Sequence, residues 1–240
     1  MQKGPLYKTI ELDLLEKIES GIYPENSIIP KEIELTTIYN VSRPTIRQAI
    51  QNLVNQGYLE RKKRLGTIVR RHKIDQEFTT IIESFDSEMR RKGLSPTTTV
   101  ISFKIDTANE EVARNLNIME NDEIFKLIRL RYAEGDPVVI VTTYVPKNKI
   151  PQLQQYDFTS TSLYDVFSKE GSPITKIKRK LDVLVADETT SDLLDIEIGA
   201  PLFYFHSTGF TSNGVVMEYS ISKYRGDTNS FVFEIANTPT

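Results

Sequence analysis

The 240-residue chain has no cysteine, no tryptophan and only two histidines, His72 and His206. Without cysteine there is no disulfide framework, no thiol nucleophile and no thiolate-bound metal. Two histidines leave almost nothing for a His-built metal site or a Ser-His-Asp relay. No Walker loop, no Gly-x-Gly-x-x-Gly and no Gly-x-Ser-x-Gly is present, so the common nucleotide-binding and hydrolase signatures are missing. No cofactor and no metal are therefore expected. No run approaches the roughly 18 apolar residues of a membrane span. Met1-Gln2-Lys3-Gly4-Pro5 also lacks the apolar stretch of a signal peptide, so a cytoplasmic chain without a membrane partner is expected.

What is there is ordinary in bulk and uneven in placement. Hydrophobic residues make up 39% and charged residues 26%, the balance of a globular chain long enough for two modest domains. The net charge of −3 hides an asymmetry. Residues 1–75 carry 13 Lys and Arg against 9 Asp and Glu, and the remainder 17 against 24. A basic end on an acidic body suggests two modules, the first meeting a polyanion.

Helical spacing is clear in the basic end. Ile10, Leu14 and Ile18, with Leu15, form one stripe, with Glu11, Asp13, Glu16, Lys17 and Glu19 expected in water. Gly21 and Pro24 end that helix. A shorter helix is expected over Glu32–Tyr39, with Leu35 and Ile38 inward. Ser42 is then an N-cap and Pro44 a first-turn proline. Ile46, Ala49, Ile50, Leu53 and Val54 follow on one face, and Arg43, Thr45, Arg47, Gln48, Gln51 and Asn52 on the other. Asn40-Val41-Ser42 is the short turn of a helix-turn-helix. The polar face suits a duplex groove: Arg offers a fork to guanine, Gln pairs with adenine, and a Thr methyl touches thymine. No Asp or Glu stands between Ser42 and Leu59, which disfavours a plain solvated face. Two short strands, Tyr58-Leu59-Glu60-Arg61 and Gly66-Thr67-Ile68-Val69-Arg70, flank Lys62-Lys63-Arg64-Leu65, a wing with a cationic tip for phosphates or the minor groove.

The segments Ile29-Pro30-Lys31-Glu32, Val41-Ser42-Arg43-Pro44-Thr45-Ile46-Arg47-Gln48-Ala49-Ile50, Gly57-Tyr58-Leu59-Glu60-Arg61 and Gly66-Thr67-Ile68-Val69 resemble the winged helix of the GntR family of bacterial transcription regulators. The resemblance implies double-stranded operator DNA as partner. Base contacts would come from Arg43, Thr45 and Arg47, helped by Lys31, Ser42, Gln48 and Arg64, with the wing entering the minor groove near Gly66. Many members have Ser-Glu-Arg where this chain has Lys31-Glu32-Ile33, and Arg64 replaces the first glycine of the wing.

Residues 72–79 read as a linker between a domain over 1–71 and one over 80–240. A short helix is expected over 84–92, closed by Gly93 and Pro96. Residues 108–132 lie over 186–210 without a gap, matching Leu116 with Leu194, Ile118 with Ile196 and Phe125 with Phe203. That pattern argues for a duplicated, mainly antiparallel sheet with helices, an α+β fold. A one-residue slip in the turns makes Val141 and Glu218 equivalent. In the strand over 123–132, Ile124, Ile128 and Leu130 line one face, and Phe125, Leu127, Arg129 and Arg131 the other. The arginines are either an anion site or exposed residues paired with Glu134, Asp136 or Glu218. His206 reads as structural, and Lys176-Ile177-Lys178-Arg179-Lys180 as an exposed strand face.

Ser84-Phe85, Met89-Arg90-Arg91-Lys92-Gly93, Ile128-Arg129-Leu130-Arg131, Ser162-Leu163-Tyr164-Asp165, Glu218-Tyr219-Ser220 and Tyr224-Arg225-Gly226-Asp227 resemble the UTRA effector domain of the HutC-type branch, a chorismate-lyase-like fold. The pattern most resembles repressors answering to N-acetylglucosamine-6-phosphate. That implies a homodimer and a small phosphorylated sugar effector. Phosphate would be held at Ser84, Phe85 and Asp86 with Arg129, Arg131, Ser162 and Tyr164, while Glu218 and Tyr224 address the sugar. Val141 stands where those repressors carry a Glu, and Asp86 where they have a neutral residue. A repressor, not an enzyme, is expected. The alternatives are an enzyme acting on a small anionic metabolite and a regulator with a non-sugar effector.

Overall fold

The computed structural model describes residues 5–55, 57–62, 65–70, 73–77 and 82–233. Two compact units divide at Ile74/Asp75. The first is a three-helix winged fold: α1 (Leu6–Glu19), α2 (Glu32–Tyr39), α3 (Arg43–Asn55) and the hairpin of β1 (Leu59–Lys62) and β2 (Gly66–Val69). Ile10, Leu14, Leu35, Ile46, Ala49, Ile50, Leu53, Leu59 and Val69 form its core. The stripes on α1 and α3 therefore face inward as their spacing requires.

Two expectations fail in this unit. Ile38 is 59% exposed, because the eight-residue α2 turns only Leu35 fully inward. Glu11 is 2% exposed instead of facing water, and its charge is satisfied by Lys8 at 2.6 Å and the Asn52 amide at 2.7 Å. A helical wheel assigns charges to solvent by angle alone and cannot see an amide waiting on another helix. The α2 start, which has no side-chain acceptor at Lys31, is secured by Glu34 reaching back to the Lys31 N–H at 2.8 Å.

At the boundary between the units, inside the expected linker, runs β3 (Ile74–Gln76); it pairs with the last strand, and the buried Gln76 amide bonds Asn229 at 2.8 Å. After it come α4 (Phe85–Arg91), β4 (Pro96–Thr107), α5 (Glu110–Leu116), β5 (Glu123–Ala133), β6 (Asp136–Pro146), α6 (Leu163–Lys169), β7 (Lys176–Val185), α7 (Glu188–Leu194), β8 (Pro201–Phe210), β9 (Val216–Arg225) and β10 (Asn229–Phe231). Six strands form one antiparallel sheet in the order β4-β5-β6-β9-β8-β7.

That order is a duplication folded about its own centre. Asn109 caps α5 and Asp187 caps α7; Asn117 and Asp195 close them in the left-handed conformation. The Ala108 N–H bonds Asp122 O at 2.9 Å, and the Ala186 N–H bonds Ala200 O at 2.9 Å. In the sheet, Val141 pairs with Ser222 and Thr143 with Ser220 across a centre at Thr142/Ile221. Register corrects one expectation. Arg129 pairs with Val141 and its counterpart Ser207 with Ser220, so Val141 matches Ser220, while Glu218, opposite Gly209, matches Val139. The slip runs the other way because β6 and β9 leave their turns with different lengths.

α5 and α7 cover one face of the sheet, over Ile124 and Tyr219 and over Leu130 and Ile140. On the other face α6 packs on Phe125, Leu127, Val145 and Met217, beneath a T-shaped Phe103–Phe158 pair. The β8–β9 end closes at Gly226, whose N–H bonds Pro201 O at 2.9 Å. A Cβ on Gly226 would lie 2.6 Å from that oxygen. Gly226→Ala is expected to cost about 1–3 kcal/mol, the range for overpacking, read as a lower urea midpoint at unchanged m-value.

Candidate functional site

Two constellations stand out, one in each unit. On the first, α3 presents Arg43 and Arg47 one turn apart, 59% and 58% exposed. Both Nε–H groups donate to one Glu32 oxygen, at 3.1 and 3.0 Å, and Arg61 of the wing lies 3.7 Å from the other. Burial alone would raise the Glu32 carboxyl; the hydrogen bonds from Arg47 and Arg43 outweigh it and hold the group below its usual range. Ser42 and Thr45 share a hydroxyl–hydroxyl bond of 2.9 Å at the helix start, and Gln48 bonds Asn52 at 2.9 Å on the exposed face. Lys31 is exposed at the start of α2. Gly66 opens β2 at φ +117°, a conformation few side chains adopt, and a Cβ there would press Ile28 at 3.2 Å. Arg64 lies outside the described residues. Arg43 and Arg47 of α3 and Arg61 of the wing thus gather around Glu32, with the Gln48 amide exposed on the same helix, the equipment for reading a duplex groove.

The second constellation is a cavity on the sheet face that α4 and α6 cover, with about 590 Å³ of empty space when the open solvent at its mouth is included. Strand alternation builds its floor. Arg129, Val141 and Ser222 sit side by side across β5, β6 and β9, and Arg131, Val139 and Tyr224 form the next row. Ser84 and Ser162 line the wall at the starts of α4 and α6, their hydroxyls accepting from the Ser87 and Asp165 N–H groups at 3.1 and 3.5 Å. Phe85 and Tyr164 complete it, and the Arg131 guanidinium lies 5.2 Å over the Phe85 ring.

The two arginines are the unusual feature. Neither pairs with Glu134, Asp136 or Glu218, and both buried Nε–H groups have no hydrogen-bond partner among the described residues. Arg129 reaches Thr143 at 3.5 Å. Burial pushes both guanidinium groups below their ordinary range, and the charge of Arg131 adds to the burden on Arg129. A buried charge is costly, and the charges of Glu218 and Asp86 offset that cost only in part.

The remaining expected residues are placed unevenly. Asp86 lies in an adjoining recess with Thr98, Phe158 and Thr161 and is absent from the main wall. Glu218, 2% exposed, lies behind the wall and accepts the Tyr164 hydroxyl at 2.8 Å. Burial raises its carboxyl above the usual range. Glu218 takes the space that Gly209 leaves by having no Cβ.

Sequence reasoning missed Arg179, Ser220, Ser222 and Glu88, all on the wall. Arg179 donates to Ser207 at 2.8 Å, while Lys176, Lys178 and Lys180 of the same run are exposed. Alternation along β7 was the available signal. Glu88, 1% exposed, also accepts the Glu77 N–H, and Lys92 at the end of α4 bonds the Asp75 carbonyl. One seven-residue helix thus touches both the cavity and the segment where the second unit begins.

Comparison with known proteins agrees with this division. The model for bacterial regulatory proteins of the gntR family matches residues 6–69, and that for the UTRA domain matches 91–229. The HTH-type transcriptional repressor NagR of Bacillus subtilis is 32% identical over 229 residues, covering 95% of this chain and 93% of that protein. The mannosyl-D-glycerate transport/metabolism system repressor MngR of Escherichia coli is 26% identical, covering 96% of each. The crystal structure of PhnF from Mycobacterium smegmatis has a TM-score of 0.83 at 25% identity, covering 98% of this chain and 100% of that one.

Burial raises the Glu88 carboxyl, against the Glu77 N–H and Lys92. A carboxyl raised on folding stabilises at low pH and loses that contribution as pH rises through its folded value. Glu88→Gln keeps an acceptor for Glu77 and removes the titration. Its melting temperature is expected to match the wild type near pH 4 and to exceed it at pH 7.5.

Proposed function

We propose, from the premise that the chain belongs to the gntR family of bacterial regulatory proteins and carries a UTRA domain, that it is a cytoplasmic repressor of sugar or amino-sugar genes. In this reading the winged unit holds operator DNA, and a phosphorylated sugar in the cavity ends repression. The observation that carries it is the pair Arg129 and Arg131, whose buried Nε–H groups have no hydrogen-bond partner among the described residues. A phosphate supplies several acceptor oxygens and up to two negative charges, which match two guanidinium forks. The hydroxyls of Ser220, Ser222 and Tyr224 line the rest of the cavity and suit a polyol. Relatives named for repression, one of them of mannosyl-D-glycerate genes, support the same reading.

Repression would work through a homodimer. Two α3 helices about 34 Å apart read a near-palindromic site. A ligand shifts such a dimer only as far as its affinities for the two arrangements differ. The apolar side chain of Val141 on the cavity floor offers a sugar no hydrogen bond, so the effector here is a phosphosugar other than N-acetylglucosamine-6-phosphate.

A thermal-shift panel of hexose and amino-sugar phosphates on the full chain tests the cavity. A cognate ligand at 100 times its Kd is expected to add about 2.7 kcal/mol of stability, and Arg131→Met to lose that gain while remaining folded. No shift from any phosphosugar, or an equal shift in the variant, refutes a phosphosugar effector. Recovery of the ligand unchanged after incubation separates sensing from catalysis. The DNA face is tested separately. Each guanine-directed Arg is worth about 1–3 kcal/mol, so Arg43→Ala with Arg47→Ala is expected to weaken promoter-fragment retention at least tenfold.

A further inference from the structure

We propose that Glu32 sets the sequence selectivity of the DNA face by fixing the geometry of Arg43 and Arg47; the inference rests on the DNA-reading role of α3. One Glu32 oxygen receives the Nε–H of both arginines, at 3.1 and 3.0 Å, and the other faces Arg61 at 3.7 Å. Glu32 is the first residue of α2, whose start is secured by Glu34 on the Lys31 N–H, so the carboxylate stands on a fixed mount.

Three consequences follow from the chemistry. A guanidinium offers a bidentate partner either its terminal Nη pair or its Nε/Nη edge. With Nε held by Glu32, only the terminal pair faces outward, so each arginine approaches a guanine end-on. Two cations one helical turn apart repel, and the shared anion between them removes the tendency to splay. Long exposed side chains also lose up to about 2 kcal/mol of rotamer entropy on ordering, and here part of that ordering precedes binding. One carboxylate against three arginines still leaves the cluster net positive for phosphates. Glu32 is thus a positioning residue, acting through the arginines.

Simple charge reasoning predicts the opposite behaviour: deleting an anion from a DNA-binding surface tightens binding to every duplex alike. The two accounts are separated with full-length protein and a duplex enriched by the wild type from a random pool. Glu32→Gln is nearly isosteric, and helix content by circular dichroism controls for folding. Expected is at least a tenfold fall in the affinity ratio of enriched to scrambled duplex, with scrambled-duplex affinity unchanged or higher. Re-selection with Glu32→Gln should give degenerate guanine positions. Equal tightening on both duplexes, or an unchanged enriched sequence, overturns the role of Glu32. Failure of the wild type to enrich any sequence overturns the DNA-reading premise itself, a different and distinguishable result.

Discussion

The second unit is organised around two guanidinium groups that no carboxylate among the described residues pairs directly. Arg129 and Arg131 stand two residues apart on β5, so strand geometry points both to one face, and α4 and α6 then close over them. Burial without an anion is unfavourable, and pairing one with a fixed carboxylate would be the usual remedy. Glu218 is near enough to influence both groups electrically, yet its oxygen is taken by Tyr164. The free guanidinium donors therefore remain available to a ligand.

Duplication explains how such a site arises on one side only. The two halves share caps, turns and strand order, but Arg129 corresponds to Ser207 and Arg131 to Gly209. The large cations of one half correspond to the smallest residues of the other. Gly209 yields its side-chain space to Glu218, and Ser207 receives Arg179. The symmetric scaffold supplies rigidity, and the asymmetric side chains supply a cavity.

The winged unit treats its arginines in the opposite way. Arg43 and Arg47 are exposed and share one carboxylate, so their charge is tempered and their orientation defined. A surface that must attract phosphates keeps its cations in water, where they are inexpensive. The cavity instead withdraws its arginines from water to a place where every unmade bond is felt.

Local pattern alone determined much of this protein. The spacing of Ile46, Ala49, Ile50 and Leu53 required a helix with an outward Arg43 and Arg47, and the repeat of 108–132 at 186–210 required a duplicated sheet, because both depend on periods of 3.6 and 2 that neighbours cannot change. Alternation also placed Arg129 and Arg131 on one face. It could not say whether that face was wet. Only the tertiary structure decided that α4 and α6 cover it, that Glu218 turns to Tyr164, and that Glu11 and Glu32 bind partners on other helices. Each of those outcomes depends on residues far apart in the chain meeting in space, and burial and pairing are properties of that meeting.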